Sequence, residues 1–153
     1  MLNIKIGYPD VDEEMQVVSR TTGLPESDPQ PVVHAEEILD YQRLVRQVPV
    51  ADNVVEYAVR LVRLTRPGTA EAHPRAVDFL SWGAGPRAAQ YLVLGAKARA
   101  ALDGRPTPGL EDVQAMAAPV LRHRLVTNFH AEAEGVGKDD LIAELVEAVP
   151  AAW

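Results

Sequence analysis

Apolar residues recur at helical spacing along most of the chain. Val11, Met15, Val18 and Thr22 share one face behind Asp10, and Glu13, three residues after Asp10, completes a capping-box pair. Gly23 suits the end of that helix. The stretch LPESDPQPVV, with three prolines, predicts a loop over 24–33. A second helix is expected from about Ala35 to Gln47, with His34 at the cap, Ile38, Tyr41, Val45 and Val48 as its stripe, and Pro49 as its stop. A third covers about Asp52 to Thr65, with Val54, Val55, Ala58, Leu61 and Val62 pointing inward. Pro67-Gly68 ends it, and Pro74 opens a short helix.

The longest segment, Pro86 to Leu102, is apolar almost all round, which predicts the central helix of a bundle. Asp103-Gly104 closes it. Val113, Met116, Ala117, Val120, Leu121 and Leu125 mark a further helix over about 110–126, which Pro119 should kink or split. Leu141, Ile142, Leu145, Val146 and Val149 mark a last one from about Lys138. Only LNIKIGYP, at the start, alternates like a strand, and a single strand has no ladder partner here. The pattern is that of an all-α bundle of about five to six helices with one orphan N-terminal strand.

Composition supports this. A chain of 153 residues with 47% hydrophobic content builds one core, and aromatics at 5% disfavour a β-sandwich. There is no cysteine, no run of 18 apolar residues and no basic-then-apolar leader, which points to a cytoplasmic protein with no membrane insertion. A net charge of −7 argues against a nucleic-acid binder. That charge is uneven, with residues 61–110 carrying 7 basic against 3 acidic side chains.

The sequence contains no G-x-x-x-x-G-K-[ST] phosphate loop and no G-x-S-x-G elbow. His34, His73, His123 and His130 lack metal-ligand spacing, so no metal site is expected. Glu13-Glu14, Glu36-Glu37 and Asp139-Asp140 fall near helix N-termini, where they complement the dipole. Arg122-His123-Arg124 falls late in a helix, where cations are favoured too. Arg87 is the exception. Pro86 fits the first helical position, so Arg87 stands in the first turn, where the dipole disfavours a cation by about 0.3–1 kcal/mol. Either Arg87 pairs with a carboxylate elsewhere or reaches water, or the helix start and its guanidinium together receive an anion.

WGAGPRA at 82–88 resembles the sensor 2 motif of MoxR-type AAA+ ATPases, where a stretch close to W-G-A-S-P-R-A opens a lid helix. EEILDYQRLVRQVPVADNVVEYAVRLVRLTRP is similar to the two preceding lid helices, and EDVQAMAAPVLRHRLVTNFHAEAEGV to the closing segment. The blocks keep the family's order and cover roughly residues 4–150. Gly85 stands where the family often has serine, and Ala51 and Gly109 where it often has a Ser or Thr cap.

The resemblance implies an AAA+ lid-type bundle. Residues 1–9 would be the last strand of an ATPase core and its hinge, 10–126 the lid, and 127–153 a C-terminal extension whose final helix packs on the lid. The Walker A and B motifs would lie in a core outside this sequence. Arg87 would be the sensor 2 arginine touching the γ-phosphate of ATP. Gly83, Gly85, Pro86, Tyr8 and Pro9 would line the nucleotide, with Gly83 and Gly85 letting the backbone approach it. ATP and Mg²⁺ would be held mainly by the core, and the lid alone would not hydrolyse ATP. The implied partners are that core, neighbouring subunits of a hexameric ring and von Willebrand factor A domain proteins. The implied role is nucleotide-driven, chaperone-like remodelling. The alternative is a freestanding helical adaptor that binds an acidic partner through the 61–110 surface.

Overall fold

The computed structural model describes residues 1–24 and 29–150. Residues 25–28 of the predicted proline-rich loop and the last three of the extension lie outside the described residues. The order is α1 (Val11–Thr21), α2 (Ala35–Gln47), α3 (Asp52–Leu64), α4 (Pro74–Phe79), β1 (Leu80–Trp82), α5 (Pro86–Leu102), α6 (Leu110–Leu121), β2 (Val126–Thr127), α7 (Phe129–Glu134) and α8 (Lys138–Ala148). Among the described residues there are therefore eight helices rather than five to six. Two of them are only six residues long: α4, the short helix that Pro74 opens, and α7, which the apolar spacing did not mark.

Helix starts follow local chemistry. Asp10 accepts the Glu13 N–H at 2.8 Å while Glu13 accepts the Asp10 N–H, so the predicted capping box closes α1. Glu37 accepts the His34 N–H in the same way at the start of α2. Ala51 and Gly109 occupy the caps of α3 and α6 and offer no side-chain acceptor. The paired acids lie in the first turns of α1, α2 and α8, as the dipole favours. Pro119 sits inside α6, which remains one helix and ends two residues later, at Leu121.

The core forms where α3, α5, α6 and α8 meet, with α5 packed against α2, α3 and α6. Leu61 and Val62 of α3, Leu92 of α5, Val113 and Val120 of α6, and Leu141 and Leu145 of α8 are fully buried there. α8 thus shares the core of the preceding helices. Tyr57 ties three of these helices: its hydroxyl donates to the Val146 carbonyl and accepts from Gln114, both at 3.1 Å.

Two expectations need correction. The N-terminal segment forms no strand, since none of the described residues pairs with it in a ladder. Instead Asn3 N–H bonds the Pro119 carbonyl at 2.7 Å, and Arg122 and Arg124 donate to the carbonyls of Asn3 and Met1. A two-stranded antiparallel ladder forms elsewhere, between β1 and β2, with Leu80 opposite Thr127 and Trp82 opposite Val126. The stripes of α1 and α2 are also largely uncovered. Val11, Met15 and Val18 are exposed, as are Ile38 and Tyr41, while Val45 and Val48 are half-buried. Helical spacing identifies a face able to pack, not the surface it packs on. Among the described residues no helix is long and apolar enough to cross a membrane.

Candidate functional site

The stretch Trp82 to Arg87 links β1 to α5. Three constraints fix it. The β1–β2 ladder holds its entry. Its middle lies against the end of α3: a Cβ on Gly83 would stand 2.1 Å from the Thr65 carbonyl oxygen. Pro86, at the first helical position, fixes its exit. Gly83 is therefore glycine because the loop touches the backbone of α3. A Cβ on Gly85, in contrast, would meet open space.

Arg87 emerges exposed in the first turn of α5, with no acidic residue in that turn. Among the described residues it has no hydrogen-bond or ion-pair partner. Among the described residues, then, no internal carboxylate explains its placement. Arg87 lines a groove of about 890 Å³ between α3 and α5, together with Arg46, Arg63 and Arg66. Among the described residues no carboxylate lines this groove, while Val55, Val59 and Leu94 give it apolar walls. Arg63 is engaged by Glu71, its Nε–H donating at 2.8 Å, and the Arg66 Nε–H donates to the Ala84 carbonyl at 2.9 Å. Arg46 and Arg87 have no side-chain partner among the described residues. Two unpaired guanidiniums in a groove that no carboxylate among the described residues lines make a surface suited to an anion.

The structure thus gathers Gly83, Gly85, Pro86 and Arg87 in one turn. Tyr8 and Pro9 stand exposed in a segment that makes its hydrogen bonds to the end of α6 rather than to this loop. Arg122 and Arg124 have local work. Arg122 pairs with Asp139 at 2.7 Å, and Arg124 donates to the Val120 carbonyl and lies 5.1 Å from the Tyr91 ring centre.

Much of the basic excess of 61–110 is internal. Arg75 pairs with Glu144 at 2.6 Å. Asp112, fully buried, accepts Arg105 twice, at 2.7 and 2.6 Å, Arg99 at 3.2 Å and the Gly109 N–H at 2.8 Å. The Arg105 hydrogen bonds hold the Asp112 carboxyl down at about 2, below the usual carboxylate range. This cluster staples α6 to the end of α5. The apolar spacing does not mark this cluster, nor Thr65, Arg66 and Tyr57. The signal for Asp112 was its place three residues after the cap of α6.

Residues 73–145, which include the loop and Arg87, match the AAA lid domain family. Over 150 residues and 97% of its length the chain is 30% identical to the uncharacterized protein YeaC of Bacillus subtilis, covering 44% of that protein. It is 27% identical over 149 residues to the chaperone MoxR1 of Mycobacterium tuberculosis, covering 39% of it. The crystal structure of a candidate ATPase from Cytophaga hutchinsonii superposes with a TM-score of 0.87 at 27% identity, over 98% of this chain and 46% of that one. The chain spans less than half the length of each of these relatives. Over residues 73–145 the chain is thus similar to AAA lid domains, and over nearly all its length to one part of the chaperone MoxR1 and of the Cytophaga hutchinsonii protein.

Proposed function

We propose that this lid works within an AAA+ ATPase as its nucleotide sensor, with Arg87 in the sensor 2 role. The observation that carries the reading is the exposed, unpartnered Arg87 at the start of α5, in a groove lined by arginines and free of carboxylates among the described residues. A guanidinium so placed engages the terminal phosphate of ATP bound by the core. ADP lacks that phosphate, so the two nucleotides bind the closed lid unequally, and differential affinity moves a conformational equilibrium. One charge-assisted hydrogen bond of about 1.5–3 kcal/mol shifts it about 10- to 150-fold.

The core supplies the lysine and Mg²⁺-binding groups that phosphoryl transfer requires. The lid supplies Arg87, Gly85 and Pro86 at the phosphate. Tyr8 and Pro9 belong to the hinge, Gly7 to Asp10, and reach the nucleotide through the core. The exposed faces of α1 and α2 fit packing against that core or neighbouring subunits of a hexameric ring. Remodelling of protein clients in the cytoplasm, beside von Willebrand factor A domain partners, completes the reading. Arg87→Ala in the ATPase that carries this lid tests it: ATP-over-ADP preference falls while the lid stays folded. An unchanged preference rejects the role.

A further inference from the structure

The loop that presents Arg87 is gripped by two consecutive residues at the end of α3. Thr65 is fully buried. Its hydroxyl donates to the Val62 carbonyl at 2.6 Å and accepts the Ala84 N–H at 2.9 Å. Arg66 donates its Nε–H to the Ala84 carbonyl, also at 2.9 Å. Both backbone polar groups of Ala84 are thus satisfied by side chains of the two residues that follow α3, and Ala84 itself is buried. Gly83 lies so close to the Thr65 carbonyl that no Cβ fits between them. Three residues after Ala84 comes Arg87, and Pro86 between them removes one backbone freedom.

We propose that Thr65 and Arg66 are positioning residues for Arg87: their grip on Ala84 sets the direction in which the first turn of α5 presents the guanidinium. The inference rests on the role proposed for Arg87. It separates presentation from folding. Ala88, Leu92 and Ala96 bury α5 beyond the loop, so the helix stays docked when the grip is lost. What loosens is the turn ahead of it. The grip also joins α3 and α5, the two walls of the arginine-lined groove, at the point where Arg87 emerges.

Thr65→Val removes the hydroxyl and keeps the shape, while Thr65→Ser keeps the hydroxyl. In the chain itself, Thr65→Val should speed exchange of the Ala84 amide about tenfold or more and leave the Val113 and Leu141 amides unchanged, with Thr65→Ser close to wild type. In the ATPase carrying this lid, Thr65→Val and Arg66→Lys should lower the ATP-over-ADP affinity ratio several-fold, and Thr65→Ser should restore it. Combined with Arg87→Ala, Thr65→Val should add nothing further. An Ala84 amide that exchanges at the wild-type rate in Thr65→Val overturns the grip. An unchanged ratio in Thr65→Val beside a lowered one in Arg87→Ala, or effects that simply add, overturns the positioning role. If Arg87→Ala itself leaves the ratio unchanged, the sensor reading fails and the positioning role with it, while the exchange measurement still reports on the grip.

Discussion

Replacing Asp112 by asparagine should destabilise the lid by about 2 kcal/mol at neutral pH, and the loss should vanish in acid. Asp112 is fully buried and accepts four hydrogen bonds, three of them from guanidinium groups. Asparagine keeps the shape but not the charge, and turns an amide N–H₂ toward Arg105 or Gly109. The magnitude follows from the carboxyl, whose pKa drops from 3.8 to about 2 on folding. At about 1.4 kcal/mol per unit this is worth about 2 kcal/mol. Because the folded value lies below the unfolded one, the stabilisation is complete above the unfolded pKa. It is lost as pH falls from about 5 through the folded value near 2. Urea unfolding followed by helical circular dichroism between pH 2.5 and 7 reads this out for both proteins. Wild type should exceed Asp112→Asn by about 2 kcal/mol at pH 7, and the gap should narrow steadily below pH 4. A gap under about 0.5 kcal/mol at pH 7, or one that stays constant into acid, would refute the reasoning.

Two further substitutions probe the frame around the site. Ala51→Ser supplies the side-chain acceptor that the extended cap of α3 lacks, and should stabilise by about 0.5–1 kcal/mol, raising Tm by about 1–4 °C; an unchanged or lower Tm would show that the hydroxyl does not reach the first turn. Gly83→Ala places a methyl against the Thr65 carbonyl, so it should cost about 1–3 kcal/mol and disturb the Ala84 amide resonance, and a Tm within about 1 °C of wild type would contradict the close approach.

What was legible in the sequence was whatever is decided within one turn of helix. The boundaries of α2 and α5 follow from His34 and Glu37, Pro49, Pro86 and Asp103-Gly104, all local signals. The buried faces of α3, α6 and α8 follow the 3.6-residue period, and Val54, Leu61, Val113, Leu121 and Leu145 are buried as it predicts. The same period failed for α1 and α2, whose stripes find little cover among the described residues. β1 and β2 were invisible because three and two residues are too short to alternate, and α7 because one and a half turns show no period. The site divided along the same line. The oddity of Arg87 was local and legible. Its support was not, because Thr65 lies 19 positions before Ala84, and Asp112 lies 13 after Arg99.

The most direct test is a titration of ATP and ADP against the AAA+ ATPase proposed to carry this lid, in wild-type and Arg87→Ala forms. Circular dichroism and Tm of the isolated chain should be unchanged, since Arg87 is exposed and has no partner among the described residues. The variant should bind ADP as wild type does and lose about 10-fold or more of its preference for ATP. Equal preference in the two proteins would contradict it.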